Sequence, residues 1–265
     1  MTTVATPFGA ALASEWTKLR SLRATWITLA VGLLLAIGVT ALFAIITGAT
    51  WDDWDAADRA DFEPGQMALG GALFSAIPFA LLAVSAAASE YSSGMIRLTL
   101  TATPRRERVL AAKVVVVAAV TLVAGAIAIL GSFLLGQAIV DSYGLETASL
   151  TGPGVPRLMI GAILLTPVLP AIAVALAVLL RSKAGAIVAV LALAFAPLVL
   201  GGVLPGTWHE DVLIYLPASV GDGITSAQFE DGGNFVAPGV AIAVLAGWLA
   251  VFLGAAQLAL SRRDA

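Results

Sequence analysis

Six apolar stretches, each about 20 residues or longer, recur along the chain: Trp26–Thr47, Met67–Ser89, Val114–Val140, Leu158–Leu180, Ala184–Leu204 and Phe235–Leu260. Roughly 20 residues of helix cross a hydrocarbon core about 30 Å thick, so each stretch predicts a transmembrane helix. Only Arg181-Ser182-Lys183 separates the fourth from the fifth, which predicts a tight hairpin. The first run is about twice as long as the 7–15 residues of a signal-peptide core, and no small-x-small cleavage site follows it, so it is expected to remain as a span. Pro78, Pro167, Pro170 and Pro197 fall inside spans. Each removes a backbone donor and favours a kink, read here as packing geometry rather than as a hinge.

The polar intervals are as patterned as the spans. In residues 1–24, Phe8, Leu12, Trp16, Leu19 and Leu22 recur at helical spacing, with Glu15, Lys18 and Ser21 between them. This predicts an amphipathic helix lying in the interface, with Trp16 at headgroup depth and Lys18, Arg20 and Arg23 near anionic lipid. Residues 90–113 join spans two and three. Ser92-Ser93-Gly94 interrupts the helix leaving the membrane. Met95–Thr101 fits a strand or a helical turn equally, and Thr103-Pro104 reads as an N-cap with proline at the first helical position. A helix is expected to run from there into span three. Residues 205–234 form the last loop between spans.

Charge then sets the orientation. Twelve of the fourteen basic residues fall before span one, in 90–113, in the hairpin and in the tail, leaving Arg59 and Arg157 on the other side. Basic loops are retained in the cytoplasm, so both termini are expected there. Thirteen of the seventeen carboxylates lie on the opposite side, in Asp52–Glu63, Asp141–Glu146 and Glu210–Asp231. The chain is 265 residues long, 60% apolar and only 12% charged. That leaves too little polar surface to cover a soluble domain. With no cysteine, disulfides, thiolate catalysis and cysteine metal sites are excluded. The expected fold is an all-α integral membrane protein with six transmembrane helices, cytoplasmic termini and an N-terminal interfacial helix.

Two segments carry a family resemblance. Ser14-Glu-Trp-Thr-Lys-Leu-Arg-Ser-Leu-Arg23 precedes span one. Glu90-Tyr-Ser-Ser-Gly, Arg97-Leu-Thr-Leu and Thr103-Pro-Arg-Arg106 follow span two and lead to Lys113. With the six-span layout and Tyr215-Leu-Pro-Ala-Ser219, these resemble the permease subunits of actinobacterial ABC-2 type transporters. The resemblance implies a single permease domain over 1–265 in a bacterial plasma membrane. It also implies a separate ATP-binding subunit as partner, a second permease chain, identical or related, and surrounding lipid. Glu90, Gly94, Arg97, Pro104, Arg105, Arg106 and Lys113 would belong to a coupling region on which the ATPase rests, and 205–234 would hold short re-entrant helices. Export is the commoner direction in the family. The chain itself is expected to bind no cofactor, with ATP and magnesium on the partner, and to engage no nucleic acid.

Other chemistries find less support. As drawn, no span contains Asp, Glu, Lys, Arg or His, whereas ion-coupled carriers usually place an ionisable group at membrane depth. A carrier or a non-transporting scaffold is the alternative reading. No G-x-x-x-x-G-K-[ST] exists in the chain, so it is not expected to be an ATPase. The carboxylates of Trp51–Glu63 lack EF-hand spacing and read as a solvated loop anchored by Trp51 and Trp54. His209 stands alone as the one histidine, which makes no metal site.

Overall fold

The computed structural model describes residues 7–92, 106–205, 208, 211–225 and 236–262. Among them the longer helices are α1 (Phe8–Ser21), α2 (Arg23–Thr50), α3 (Ala72–Ser92), α4 (Arg106–Ser142), α5 (Val155–Leu165), α6 (Val168–Leu180), α7 (Lys183–Gly201) and α8 (Pro238–Arg262). No strand occurs among the described residues. Six segments are long and apolar enough to cross a membrane, with α5 and α6 forming one of them. The all-α, six-span expectation therefore holds.

Helix α6 sits at the centre, packed against α3, α7 and α8. Its residues Pro170–Val178 are buried without interruption, the signature of a helix apolar on every side. Ile172, Val174, Phe79, Val84 and Val117 are the bulky side chains of this core. Helix α2 is peripheral and buries one line of mostly small residues, Thr25, Leu29, Gly32, Ala36, Thr40, Ala44 and Thr47. Lipid is as apolar as leucine, so association between spans rests on close packing, which small residues allow. Gly32 is one such contact, because a Cβ there would lie 2.5 Å from the ring of the fully buried Phe79.

Two spans are broken, and in each case a threonine takes up backbone groups at the break. Span two starts as a short helix, Pro64–Met67, and resumes as α3 only at Ala72. The buried hydroxyl of Thr40 on α2 accepts from the Gly71 N–H (3.0 Å) and donates to the Ala68 carbonyl (3.4 Å). Span four divides between α5 and α6 because Pro167 has no N–H for the Ile163 carbonyl. The Thr166 hydroxyl donates to that carbonyl at 2.8 Å. Irregular backbone at membrane depth persists only where protein satisfies it in this way. Pro78 and Pro197, by contrast, lie inside continuous helices.

At the acidic end Gln137 joins two loops. Its amide nitrogen donates to the Pro64 carbonyl (2.8 Å), and its oxygen accepts from the Ala148 N–H (2.7 Å). Gln137→Leu leaves a carbonyl and an N–H without these partners, at about 1–3 kcal/mol for each group that stays dry. We expect a lower unfolding midpoint for this variant in detergent. Nearby, Trp51 packs on Phe62 edge-on at 5.1 Å and on Trp54 at 5.3 Å. The acidic segment thus folds onto an aromatic knot.

Helix α4 is longer than its apolar stretch. At 1.5 Å per residue its 37 residues reach about 55 Å, well beyond a 30 Å core. Described from Arg106 onward, it runs through the basic interval into span three, as expected from the sequence. Residues between its start and the hydrocarbon therefore remain helical and rigidly placed.

Candidate functional site: a buried charge cluster

Four charged side chains from three helices meet at the basic end. Glu15 comes from α1, Lys18 from the next turn of α1, Glu90 from the end of α3 and Lys113 from the first third of α4. Lys113 Nζ reaches Glu15 Oε2, Glu90 Oε1 at 2.9 Å and the Ala86 carbonyl at 3.2 Å. Those three acceptors use all three of its N–H bonds. Lys18 Nζ reaches Glu15 Oε1 at 2.6 Å and Glu90 Oε1 at 2.8 Å. Two carboxylates thus share two ammonium groups, and the cluster is neutral as a whole.

Its burial is deep. Glu15, Glu90 and Lys113 are 6%, 4% and 5% exposed, and only Lys18 is partly open. Charges so placed persist because each is paired and hydrogen-bonded. The second oxygen of Glu90 has no hydrogen-bond partner among the described residues, nor has the neighbouring Tyr91 hydroxyl. For Lys18, burial alone would lower the pKa. The hydrogen bonds to Glu15 and Glu90, with their charges, outweigh it and raise the pKa above the ordinary 10.5. A raised lysine pKa contributes stability that is fully present below the ordinary value and disappears only as pH rises through the raised one. Lys18 therefore keeps its charge, and with it its two ion pairs, across the neutral range.

Other contacts tie the same end together. The Arg106 guanidinium donates to the Leu260 carbonyl, joining the start of α4 to the end of α8. The Arg181 guanidinium lies over the Tyr91 ring, 5.7 Å from its centroid, joining the α6–α7 hairpin to α3. In that hairpin Arg181 adopts a left-handed conformation, and the Ser182 hydroxyl caps α7 by accepting from the Gly185 N–H (3.2 Å).

A model of the ABC-2 family transporter proteins matches residues 11–197, well over half of the chain. The chain belongs to the ABC-2 transporter family. A search of curated proteins gave no match. Membership makes it a multi-pass membrane component, a permease of an ABC transporter, from a family that works with an ABC ATP-binding subunit.

Against this ABC-2 frame, the residues singled out from sequence separate into three groups. Glu90 and Lys113 belong to the interior, where they form the two roots of the interval between spans two and three. Arg106 is half-buried and engaged with α8. Gly94, Arg97, Pro104 and Arg105 lie outside the described residues, as do the proposed strand or turn at Met95–Thr101, the cap at Thr103 and His209.

The interfacial helix requires a correction. Helix α1 was expected to lie in the interface with Trp16 at headgroup depth and Lys18, Arg20 and Arg23 near lipid. Lys18 instead turns inward, and the line α1 buries against the bundle is Ala11, Glu15 and Leu19. Phe8, Trp16 and Leu22 remain exposed, as do Arg20 and Arg23. A carboxylate is the inward-facing group because its counter-ion, Lys113, is inside the protein, while lipid accepts the apolar residues. Trp16, Arg20 and Trp26 line an apolar groove of about 790 Å³ between α1, α2 and α4, and the Trp26 indole donates to the Arg20 carbonyl (3.0 Å).

Glu15 is the site residue that sequence reading missed. A signal for it existed: the basic side has four carboxylates, and two of them, Glu15 and Glu90, are in the cluster. The lysines carry a second signal. Eleven of the fourteen basic residues are arginine, and two of the three lysines meet in this cluster. A compact ammonium with three rotatable donors suits a pocket bounded by two carboxylates better than a planar fork does.

Proposed function

We propose that this chain is the membrane-spanning half of a bacterial ABC-2 exporter, with its basic end in the cytoplasm and the ATP-binding subunit docked on residues 93–105. The observation that carries this reading is the buried cluster. Glu90 and Lys113 flank that interval, and they are bonded to each other and to α1. A push on the interval would therefore be delivered to α3, α4 and α1 together, and through Arg106 to α8. Two such chains, identical or related, would complete the pathway in the plasma membrane. Lipid would cover the groove beside Trp16.

The cluster itself is not a coupling-ion site: its charges neutralise one another, whereas such a site needs a group free to exchange its ion.

Recruitment tests the reading. The chain, co-expressed with a candidate ABC ATP-binding subunit from the same genome, should co-purify with it in mild detergent. Arg97→Glu combined with Arg105→Glu should abolish recovery, since like charges now face the acceptor. Arg59→Glu, at the opposite end, should leave recovery intact. Recovery of the ATPase with the double reversal at the wild-type level would remove the docking assignment. Transport that stops with an uncoupler at constant ATP would favour a carrier instead.

A further inference from the structure

We propose that a cavity at the acidic end binds an amphipathic cation, its charged head at Asp222 and its apolar body along Leu69, Leu165, Leu169 and Leu193. This names a cargo class and so rests on the transporter reading above. The cavity, about 450 Å³, lies between spans two, four and five and the last loop. That volume is within the range of small-molecule sites, which are mostly apolar with a few placed polar groups.

The polar groups here are unequal. Ser75, Thr166 and Thr225 line the cavity, but their hydroxyls are committed to the backbone carbonyls of Ala72, Ile163 and Gly221. Asp222 differs. It opens the short helix Asp222–Thr225, and its carboxylate has no hydrogen bond or ion pair among the described residues. It is exposed, and partial desolvation by the surrounding wall raises its pKa above that of an ordinary aspartate. Gln66 is the remaining lining side chain with hydrogen-bonding groups uncommitted among the described residues. A carboxylate with no counter-ion among the described residues, lining a leucine-rich cavity, suits a ligand that brings a positive charge and an apolar body together.

The segment is held rigidly enough to define a site. Gly223 lies against the Val236 carbonyl with no room for a Cβ, and Gly161 on α5 meets Ile224 in the same way. Val220 is fully buried against α8 and Leu165. Asp222 is thus fixed between the bundle and its last span, not on a free loop.

Equilibrium binding to the full chain in phosphatidylcholine nanodiscs tests this, with empty discs as the blank. Three probes share one dansyl-alkyl body and end in trimethylammonium, hydroxyl or sulfonate. The trimethylammonium probe should bind about tenfold more tightly than the hydroxyl probe, and the sulfonate probe most weakly. Asp222→Asn should abolish the preference, while Asp222→Glu should keep it. Ala218→Trp, at an exposed position on the cavity wall, should weaken all three. Equal binding of the probes by the wild type overturns the proposal, as does a preference that survives Asp222→Asn or binding untouched by Ala218→Trp. No ATPase is present in this assay. Failed recruitment would sink the transporter reading without altering these results, and failed binding would sink the cavity assignment without altering recruitment.

Discussion

Lys113→Met should destabilise the protein by roughly 3–5 kcal/mol, far more than loss of a surface ion pair at about 0–1 kcal/mol. Methionine fills much of the same volume, so packing is not the main loss. The loss is electrostatic: Glu15 and Glu90, both buried, are left with Lys18 alone, and Glu15 Oε2 and Glu90 Oε1 each lose a charged donor. Thermal unfolding followed by intrinsic fluorescence in detergent measures the effect. Glu90→Gln added to Lys113→Met removes one charge of each sign and leaves the Glu15–Lys18 pair. Coupled neighbours are not additive, and the double variant should recover most of the stability. It supplies a functional test as well, because the ion pairs joining α3 and α4 to α1 are gone while the fold is restored. We expect it to recruit the ATPase and to fail in ATP-driven transport. Full transport by the double variant would show that the cluster serves stability alone.

Gly71→Ala should be as damaging, through sterics. Gly71 lies where the broken start of span two crosses α2, and a Cβ there would overlap the Ala36 carbonyl and lie 2.6 Å from the Thr40 hydroxyl oxygen. The obstacle is backbone on one side and, on the other, the hydroxyl that satisfies the break. No rotamer change clears it, and α2 and span two must separate. Overpacking of this kind costs about 1–3 kcal/mol, occasionally more, and the Thr40 hydrogen bonds are lost besides. Gly38→Ala, two residues along α2 from Ala36, is the control. A Cβ there meets nothing within 4 Å, and alanine in a helix is favoured over glycine by up to about 1 kcal/mol. Membrane-inserted yield and unfolding midpoint should fall for Gly71→Ala and hold or rise for Gly38→Ala. Equal behaviour would mean that the α2 seam tolerates separation.

Both predictions concern positions of unequal visibility in the sequence. Gly71 is one of 26 glycines, and its sequence neighbourhood does not say which carbonyl it faces. Lys113 was visible as a basic residue beside a span, but its role was assigned to the surface. The sequence places Lys113 on a helix leading into span three, and α4 is that helix. Periodicity does not say how the helix is turned about its axis, and it is that rotation which faces Lys113 toward α1 and α3.

What the sequence by itself determined is whatever depends on transfer from water to lipid. Apolar runs of sufficient length specify six spans, and the segregation of arginine and lysine from aspartate and glutamate specifies opposite ends. These are sums over residues and need no knowledge of neighbours. The motifs around Ser14–Arg23 and Glu90–Lys113 carried the family, and with it the partner class. Tertiary structure decided which charges are buried and which are presented. Glu15, Lys18, Glu90 and Lys113 are separated by as many as 98 residues, and their pairing depends on the rotation of α1, α3 and α4 about their axes. It likewise decided that Asp222, one of thirteen carboxylates on its side, lines a leucine-walled cavity. Pairing and desolvation are properties of position in space, and identical residues at other rotations would have been ordinary surface charges.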